Sequence, residues 1–357
     1  MASALHTPLC DLLGIEHPVL LAPMANGPST PELAAAVSRA GGLGVLAAAN
    51  ISAEAVADEI ARARELGATR LGVNVQVPPR RELNPDAASV QAVVAPFREE
   101  LGLPSDPPPP APAAAALDVL RAALEAGVDV ASVALGDPGP AAELAREFGV
   151  PLMAMVTTPD EAVRCAEVGV DVVIAQGAEA GGHRSTFELS DEGPPPLVGT
   201  MALVPLVVDA IDVPVVAAGG IADGRGLAAA LALGAQGVSV GTRFLAAAEA
   251  GTPAHYRERV LSLRPQDTIV TDQVTGRPGR WIRNRFVDAM EAGPRALGWP
   301  MQAAAIGDVR RAAGTSGATD VFAMLAGQAA ALAPGVEPAE EIVAAMVHDA
   351  ARILGRG

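Results

Sequence analysis

The fold can be read most directly from VPVVAAGGIADGRGLAAALALGAQGVSVGTRFL, which is residues 213–245. A β-branched run at 213–218 leads into a double glycine, then into an Ala- and Leu-rich segment of helical length, then into a second apolar run at 237–240. Apolar runs of strand length on either side of a helical segment predict a β–α–β unit with parallel strands. This stretch therefore predicts one unit of a parallel α/β fold.

The same alternation recurs along most of the chain. Helices are predicted at Thr30–Arg39, Ala53–Leu66, Asp118–Ala126, Pro140–Phe148, Pro159–Glu167 and Arg225–Leu233. Eight strands are predicted at Val19–Ala22, Leu43–Leu46, Leu71–Val75, Val130–Val133, Leu152–Met155, Val170–Ala175, Val213–Ala218 and Gly237–Val240. Eight parallel strands are the number that closes a (β/α)8 barrel, so we predict an α/β chain with a TIM-barrel fold.

Three segments interrupt this rhythm. Pro78–Pro112 is predicted to be a long loop, partly helical at Pro85–Glu100 and stiffened by the run Pro107–Pro110, because proline propagates neither helix nor sheet. Gly181–Pro196 follows the sixth strand and resembles an exposed active-site loop. The segment 247–319 is rich in arginine and is predicted to be a small, mostly helical domain inserted after the eighth strand.

The predicted domains follow from that insertion. Residues 1–246 together with 320–357 form the barrel, and residues 247–319 form the inserted domain. Asp320–Leu332 is predicted to be the last barrel helix, and Pro338–Leu354 one more amphipathic helix.

Composition narrows the function. The 357 residues include 41 acidic residues and 25 basic ones, all arginine, for a net charge of −16. Without lysine, the chain cannot use Schiff-base or pyridoxal chemistry or a Walker-type phosphate loop. The acidic balance and an aromatic content of 3% argue against a nucleic-acid partner, which needs basic surface or stacking platforms. A small-molecule substrate is the better expectation.

Other features of the sequence concern cellular context. No apolar run is long enough to cross a bilayer, and no signal peptide is visible at the N-terminus. Cys10 and Cys165 are too few for a disulfide framework or a zinc site, and we expect both to be buried. We therefore predict a cytoplasmic protein without a metal or membrane partner. The oligomeric state is left open, with a homodimer as one option.

Two glycine turns follow the seventh and eighth strands, at Gly219-Gly220 and Gly241-Thr242. In TIM barrels the chemistry lies at the carboxyl ends of the strands, and phosphate commonly binds after strands seven and eight. Glycine lets the backbone approach an anion, and successive N–H groups with a helix N-terminus supply positive charge. The Thr242 hydroxyl adds another donor. The alternative is that both are ordinary tight turns.

After the sixth strand comes AQGAEAGGHRS, which places Gln176, Gly181, Gly182 and His183 at the mouth of the barrel. His183 alone among the five histidines leaves a strand end with glycines before it. Histidine titrates near neutrality, which suits a general base. The alternative is a loop histidine with no role.

The remaining candidates lie at other strand ends. Met24 and Ala25 follow the first strand and offer a surface for a flat ring, while Asn74 at the end of the third offers a donor and an acceptor. Gln328, in MLAGQAA, is predicted to reach back towards the same ring. Each of these residues has an alternative role in packing or in a turn.

Taken together, these motifs resemble the nitronate monooxygenases, which are FMN-containing TIM-barrel enzymes. The resemblance covers most of the chain and is carried, in order, by LLAPMANGPSTPELAAAVSRAGGLGVL, LGVNVQVP, AQGAEAGGHRS, VPVVAAGGIADG, GTRFLAAAEA and AGQAA. TGRPGRWIRNRF (275–286) and WPMQ (299–302) resemble the class I branch of that family.

The resemblance implies a cofactor, a site and a reaction. It implies that FMN is bound by Met24, Ala25, Asn74, Gln176, Gly181, Gly182, Gly219, Gly220, Gly241, Thr242 and Gln328. His183 would be the catalytic histidine, removing an α-proton or assisting oxygen activation. The implied reaction converts an alkyl nitronate or nitroalkane and O2 into a carbonyl compound and nitrite. Class I members place tyrosines around the substrate, whereas this chain has Trp299 at one such position and a single tyrosine, Tyr256.

Two alternatives remain on the same motifs. An FMN-dependent NAD(P)H reductase, similar to enoyl-acyl-carrier-protein or quinone reductases, shares the AGGH and AAGGI patterns. A flavin-binding domain that serves a partner without its own turnover would share them too. An IMP-dehydrogenase-like enzyme is excluded, because no cysteine lies near the two glycine turns.

Overall fold

The computed structural model describes residues 5–79, 82–105, 115–190 and 195–355. The strands are β1 Val19–Leu21, β2 Gly44–Ala47, β3 Leu71–Gln76, β4 Val130–Ala134, β5 Leu152–Val156, β6 Val172–Gln176, β7 Gly182–His183, β8 Val215–Ala218, β9 Gly237–Val240, β10 Thr268–Thr271 and β11 Gly279–Ile282.

The α-helices are α1 Pro8–Leu13, α2 Pro31–Arg39, α3 Ala53–Glu65, α4 Ala87–Glu100, α5 Ala116–Glu125, α6 Gly139–Phe148, α7 Pro159–Glu167, α8 Thr200–Val208, α9 Gly224–Ala232, α10 Thr242–Leu245, α11 Ala254–Leu261, α12 Arg285–Ala292, α13 Met301–Ala305, α14 Gly307–Ser316 and α15 Ala339–Ile353. Short 3-10 helices lie at Pro265–Asp267 and Gln328–Leu332.

Eight parallel strands form a barrel in the order β1-β9-β8-β6-β5-β4-β3-β2. A parallel bridge between Leu20 and Leu43 joins the first strand of this order to the last. The predicted TIM barrel is therefore confirmed, and each of the eight predicted strands overlaps an observed one. The seventh and eighth predicted strands are β8 and β9. Strand β6 pairs with β8 so that Gln176 lies opposite Ala218. The ends of β6 and β8 therefore lie at the same level of the barrel mouth.

The helix that completes the barrel is not the predicted one. The expectation that Asp320–Leu332 forms the last barrel helix was wrong, because most of this segment is extended and only Gln328–Leu332 turns, as a 3-10 helix. Leu325 bridges Trp281, and the N–H of Ile282 donates to the carbonyl of Met324, so tertiary contacts override the helical propensity of the alanines. The barrel is completed instead by α15, which packs against α2 and α9.

The segment after β9 is mostly helical, and it also contains an antiparallel hairpin of β10 and β11. The two-residue strand β7 adds to this hairpin, so the loop that carries His183 is tied to the inserted segment. The buried side chains of this region pack with Val90, Val94 and Phe97 of α4. We keep 247–319 as the proposed limits of the inserted domain, and this packing adds α4 to it.

Some predictions fall outside the described ranges. The proline run Pro107–Pro110 is not among the described residues, nor are residues 191–194 of the predicted active-site loop. Cys10 and Cys165 are free and buried, as predicted. In the described ranges, no helix combines the length and the hydropathy needed to cross a membrane.

Candidate active site

The turns after β8 and β9 form a group of backbone donors, here called the cradle (Gly219, Gly220, Gly241 and Thr242). Gly219 and Gly220 have φ angles of 103° and 74°, which favour glycine. No group in the described ranges accepts a hydrogen bond from the N–H of Gly219, Gly220 or Thr242. Consecutive unpaired N–H groups are a binding site for an anion. The cradle can therefore hold a phosphate.

The helix after β8 does not contribute in the way the sequence suggested. Asp223 caps α9, with its Oδ1 accepting from the N–H of Arg225 at 2.9 Å and of Gly226 at 3.2 Å. The helix N-terminus thus already has an anionic partner. The donors that remain for a ligand are those of the turn itself.

The segment Ala326–Gln328 closes one side of the cradle. The N–H of Gly327 donates to the Thr242 hydroxyl at 2.9 Å, and the N–H of Gln328 donates to the Glu179 carbonyl at 3.0 Å. A Cβ on Gly181 would lie 2.5 Å from the nitrogen of Gly327, so only glycine fits this approach. The structure therefore brings Gly181, Thr242 and Gln328 together, although they lie far apart in the sequence.

His183 lies beside this wall, on β7. Its Nε2 is 2.8 Å from the Thr275 hydroxyl, and its ring is 5.6 Å from the ring of Trp281 and 5.7 Å from that of Trp299, edge to face in both cases. The backbone next to it has room, because a Cβ on Gly182 would meet nothing within 4 Å, although its φ of 85° favours glycine. The histidine is thus held between two tryptophans that the inserted segment supplies.

The environment of His183 keeps its imidazole uncharged. Burial lowers its pKa, and the cations Arg277 and Arg310 lower it further, to about 3. At pH 7 the ring is therefore neutral and has a free lone pair on one nitrogen. Its low pKa also makes it a weak base, because a protonated His183 would face two arginines.

Gln176 and Arg184 fix the loop that carries His183. The Gln176 amide donates to the His183 carbonyl and accepts from the Ser185 N–H, both at 2.9 Å. Arg184 donates to the carbonyls of Gln176 and Gly177 at 2.9 and 2.6 Å. Gln176 thus positions the loop through both ends of its amide. A direct contact with a cofactor would use its second amide hydrogen or the second lone pair of its Oε1.

The other predicted residues surround the barrel mouth. Asn74 is buried at the end of β3, opposite β8 in the strand order, and donates to the Ser132 hydroxyl at 2.9 Å. Met24 lies next to Gly241, with its sulfur 3.8 Å from where a Cβ of that glycine would be. Ala25 follows Met24 in the turn after β1. Asn74 thus lies apart from the cradle, across the mouth, and Met24 lies at its edge.

A cavity of about 280 Å³ opens at the ends of β1 and β2. It is lined by Met24, Asn50 and Glu59 among others, and His183 does not line it. Of the predicted site residues, only Met24 reaches it. We take the space between the cradle and His183 as the candidate active site because the unpaired donors and the neutral histidine lie there.

Several residues of this site were missed by reasoning from the sequence. Arg280 donates to the Ala178 carbonyl at 2.7 Å, and Arg277 donates to the carbonyls of Arg184 and Thr186, so both hold the His183 loop. Trp281 and Arg310 also approach His183. The density of arginine in TGRPGRWIRNRF was the available signal, but its partners lie in a loop distant in sequence.

Comparisons with known proteins agree over nearly the whole chain. The family model for nitronate monooxygenase matches residues 6–349. A probable nitronate monooxygenase from Staphylococcus saprophyticus is 35% identical over 355 residues, covering 99% of each chain.

Solved structures give the same picture. The nitroalkane oxidase from Streptomyces ansochromogenes superposes with a TM-score of 0.88 at 34% identity, covering 98% of this chain and 99% of that one. FabK from Thermotoga maritima superposes with a TM-score of 0.77 at 31% identity, covering 98% of each chain.

Proposed function

Because the chain belongs to the nitronate monooxygenase family and is a flavin-dependent oxidoreductase, we propose that it binds FMN and uses O2 to oxidise alkyl nitronates to carbonyl compounds and nitrite. The observation that carries this proposal is the neutral His183, held between two tryptophans beside unpaired backbone donors. That arrangement offers backbone donors for a phosphate and a neutral, aromatic-lined histidine for a small organic substrate.

The residues present fit FMN. The unpaired N–H groups of Gly219, Gly220 and Thr242 would hold its phosphate without any lysine. Thr242 accepts a hydrogen bond from Gly327 and keeps its own hydroxyl hydrogen to donate. Met24, Ala25 and Asn74 would face the ring from the ends of β1 and β3, with Gly181, Gly182, Gly241 and Gln328 closing the remaining sides.

When bound, FMN supplies the electron transfer between the substrate and O2. The chain supplies position and polarity. Trp281 and Trp299 restrict the His183 ring to one orientation, and Thr275 bonds its Nε2. The neutral imidazole of His183 carries no charge but can still form hydrogen bonds. It can therefore orient a substrate oxygen or accept a proton.

The lowered pKa of His183 favours a substrate that is already ionised. A base whose conjugate acid is destabilised by burial and by two arginines removes a carbon-bound proton poorly. We therefore propose the nitronate anion, rather than the neutral nitroalkane, as the preferred substrate of this site.

The alternative function is an FMN-dependent NAD(P)H reductase on the same fold. It is favoured by the lack of a tyrosine beside His183. The hydroxyl of Tyr256 accepts from the N–H of Leu325 at 3.0 Å and also donates to its carbonyl, so it is committed to the backbone. A third possibility, flavin binding without turnover, makes no use of the pocket around His183.

Anaerobic mixing separates these functions. We expect the purified protein to be yellow and to contain one FMN, and a colourless protein that does not take up FMN would contradict the proposal. A nitronate should bleach the flavin, with nitrite released once air is admitted. Rapid bleaching by NADH or NADPH alone would favour the reductase. No bleaching by either would favour a non-catalytic role.

The His183→Gln variant tests the role of the histidine. It should retain FMN, because the donors of the cradle are backbone groups, and should lose roughly 100-fold in kcat/KM with a nitronate, because the substrate oxygen loses the group that orients it. Unchanged turnover would remove His183 from the reaction. A cytoplasmic location and a homodimer stay predictions from the sequence.

A further inference from the structure

Arg310, on α14, has no polar partner among the residues that the structure describes. Its guanidinium carbon lies 5.7 Å from the centre of the Trp281 ring, and its Nε is buried without a hydrogen bond. Its other two nitrogens make no hydrogen bond or ion pair with any residue of the described ranges. The cation therefore rests on an aromatic face, with its terminal nitrogens open to a ligand or to water.

This distinguishes Arg310 from the other arginines with an unpaired nitrogen. Arg184 bonds two carbonyls, Arg257 bonds the Ala250 carbonyl at 3.0 Å, and Arg243 pairs with Glu337. Arg98 of α4 is also buried, but it is bonded to Asp308 of α14 at 2.8 Å. Buried cations are almost always paired because an unpaired one loses its hydration without compensation. Arg310 is half-buried, and no group in the described ranges compensates the hydration that its buried Nε loses.

A second donor without a partner lies on the same ring system. The indole Nε1 of Trp281 is buried and unpaired. It lies 3.0 Å from where a Cβ of Gly279 would be, and Gly279 is the strand partner of His183. Arginine and the indole N–H can only donate. The Trp281 side chain is fully buried, so a ligand can reach only the guanidinium, whose partner must be an acceptor and, to balance its charge, an anion.

The position of these donors ties them to the candidate active site. The Trp281 ring contacts both His183, at 5.6 Å, and Arg310, at 5.7 Å. Arg310 is also close enough to lower the pKa of His183. Arg310, the Trp281 ring and His183 therefore form one contiguous cluster of side chains.

We infer that Arg310 is the residue that receives the anionic end of the substrate beside His183. This rests on the proposed function. The ligand chemistry is a planar anion with two oxygens, which a nitronate shares with a carboxylate and which a guanidinium can bind with two parallel hydrogen bonds. Arg310 is thus a specificity-determining residue, and it selects the ionised substrate over its neutral parent.

The experiment uses the FMN-loaded protein and two probes of equal shape. Propionate carries the planar anion, and propionamide is its neutral counterpart. The chain has only two tryptophans, and both contact His183, so their fluorescence reports binding in this pocket. We expect a saturable change with propionate and a much weaker one with propionamide.

Arg310→Gln should weaken propionate binding roughly 10- to 100-fold and leave propionamide unchanged, because only a charge-assisted bond is lost. Arg311→Gln is the matched control, since it removes the same charge from the next residue of α14, where the side chain is exposed. It should change the affinity by less than about twofold. Equal propionate affinity in the Arg310→Gln variant and the wild type would overturn the inference.

Thermal unfolding tests whether Arg310 serves only to stabilise the fold. Arg310→Met keeps an apolar stem on Trp281 and removes an unpaired cation, so its Tm should equal or exceed that of the wild type. A lower Tm together with retained propionate binding would show that Arg310 serves packing instead.

The inference and the proposed function fail in different ways. If nitronates are not turned over but propionate binding still depends on Arg310, the reaction is wrong and the anion site stands. If nitronates are turned over equally well by the wild type and Arg310→Gln, the reaction stands and the anion site is wrong.

Discussion

On the loop after β6, the terminal nitrogens of Arg184 donate to the carbonyls of Gln176 and Gly177. On α14, by contrast, Arg310 donates to no carbonyl of the described ranges. Both arginines lie near His183. Arg184 is its neighbour in the sequence, whereas Arg310 is brought close by the packing of α14. The loop is a scaffold whose polar groups largely satisfy one another. The α14 side of the pocket, like the cradle, leaves donors without acceptors.

This difference separates residues that stabilise the fold from residues that bind a ligand. A donor satisfied inside the protein contributes to the free energy of unfolding, and its loss leaves a buried acceptor unpaired. A donor left unsatisfied costs stability until a ligand arrives, so its loss should weaken binding and leave the free energy of unfolding unchanged or higher. Substitutions in the two regions should therefore change different measured quantities.

The largest expected effect is on the scaffold. Arg184→Met should lower the free energy of unfolding by about 3 kcal/mol, because it leaves the buried carbonyl of Gln176 without its donor and weakens the bonding of Gly177. Urea unfolding measures this directly. Arg121→Met is the control, since Arg121 is exposed and makes only surface contacts, an ion pair with Glu147 at 3.3 Å and a contact of its guanidinium with the Phe148 ring at 5.9 Å. Equal stability of the Arg184 and Arg121 variants would break the distinction.

The next effect concerns the wall of the cradle. In Gly181→Ala the new Cβ would lie 2.5 Å from the nitrogen of Gly327, so the Ala326–Gln328 segment must move away from Thr242. Overpacking of this kind costs about 1–3 kcal/mol, and we expect FMN affinity to fall roughly 10- to 100-fold. Equilibrium dialysis against FMN gives the affinity.

Gly335→Ala is the matched control for the cradle. A Cβ on Gly335 would meet nothing within 4 Å, so FMN affinity should stay as in the wild type. If Gly181→Ala also bound FMN normally, the segment after the insert would not form part of the cofactor site.

A smaller effect should follow from Gln176→Ala. It removes the two hydrogen bonds, each 2.9 Å, that fix the His183 carbonyl and the Ser185 N–H, which costs about 1–2 kcal/mol. If Gln176 acts through the loop, kcat should fall while FMN content stays near one per chain. Loss of FMN with an unchanged loop would instead assign Gln176 to the cofactor. Gln266→Ala, at an exposed position, controls for the substitution itself.

The barrel could be predicted from the sequence because its signals are local. The helix at Pro159–Glu167 was predicted to the residue, since Thr158 and Glu161 form a capping box around a proline. The cradle was predicted because the two glycine turns lie directly after apolar runs. The predicted strand ends also placed His183 at the barrel mouth.

The rest of the site depends on contacts between distant parts of the chain. The hairpin of β10 and β11 has no clear alternation in TGRPGRWI, and it becomes a strand pair because β7 adds to it. Asp320–Leu332 was predicted as a helix from its alanines, and contacts to Trp281 and Ile282 hold it extended. Nothing local to Arg310 indicates that its side chain ends on Trp281.

The smallest expected effect is that the protonation state of His183 does not change with pH. This prediction tests whether Arg310 on α14 helps to keep the imidazole neutral. The pKa of His183 is lowered to about 3 by burial and by Arg277 and Arg310. Protonation then begins only as the pH falls towards that value, so the ring should stay neutral from pH 8 down to about pH 5. The ¹³Cε1 chemical shift of His183, assigned by its absence in His183→Gln, should be flat over that range.

Free imidazole in the same buffers is the control, because it titrates within that range. In Arg310→Gln the pKa of His183 should rise, since one of the two cations that oppose its protonation is gone. An inflection near pH 6.5 in the wild type would mean that water reaches the ring and screens it, and the pocket would then resemble an ordinary surface cleft. A flat wild type with a shifted variant would show that an unpaired cation keeps the histidine neutral and so reserves the negative charge of this pocket for the substrate.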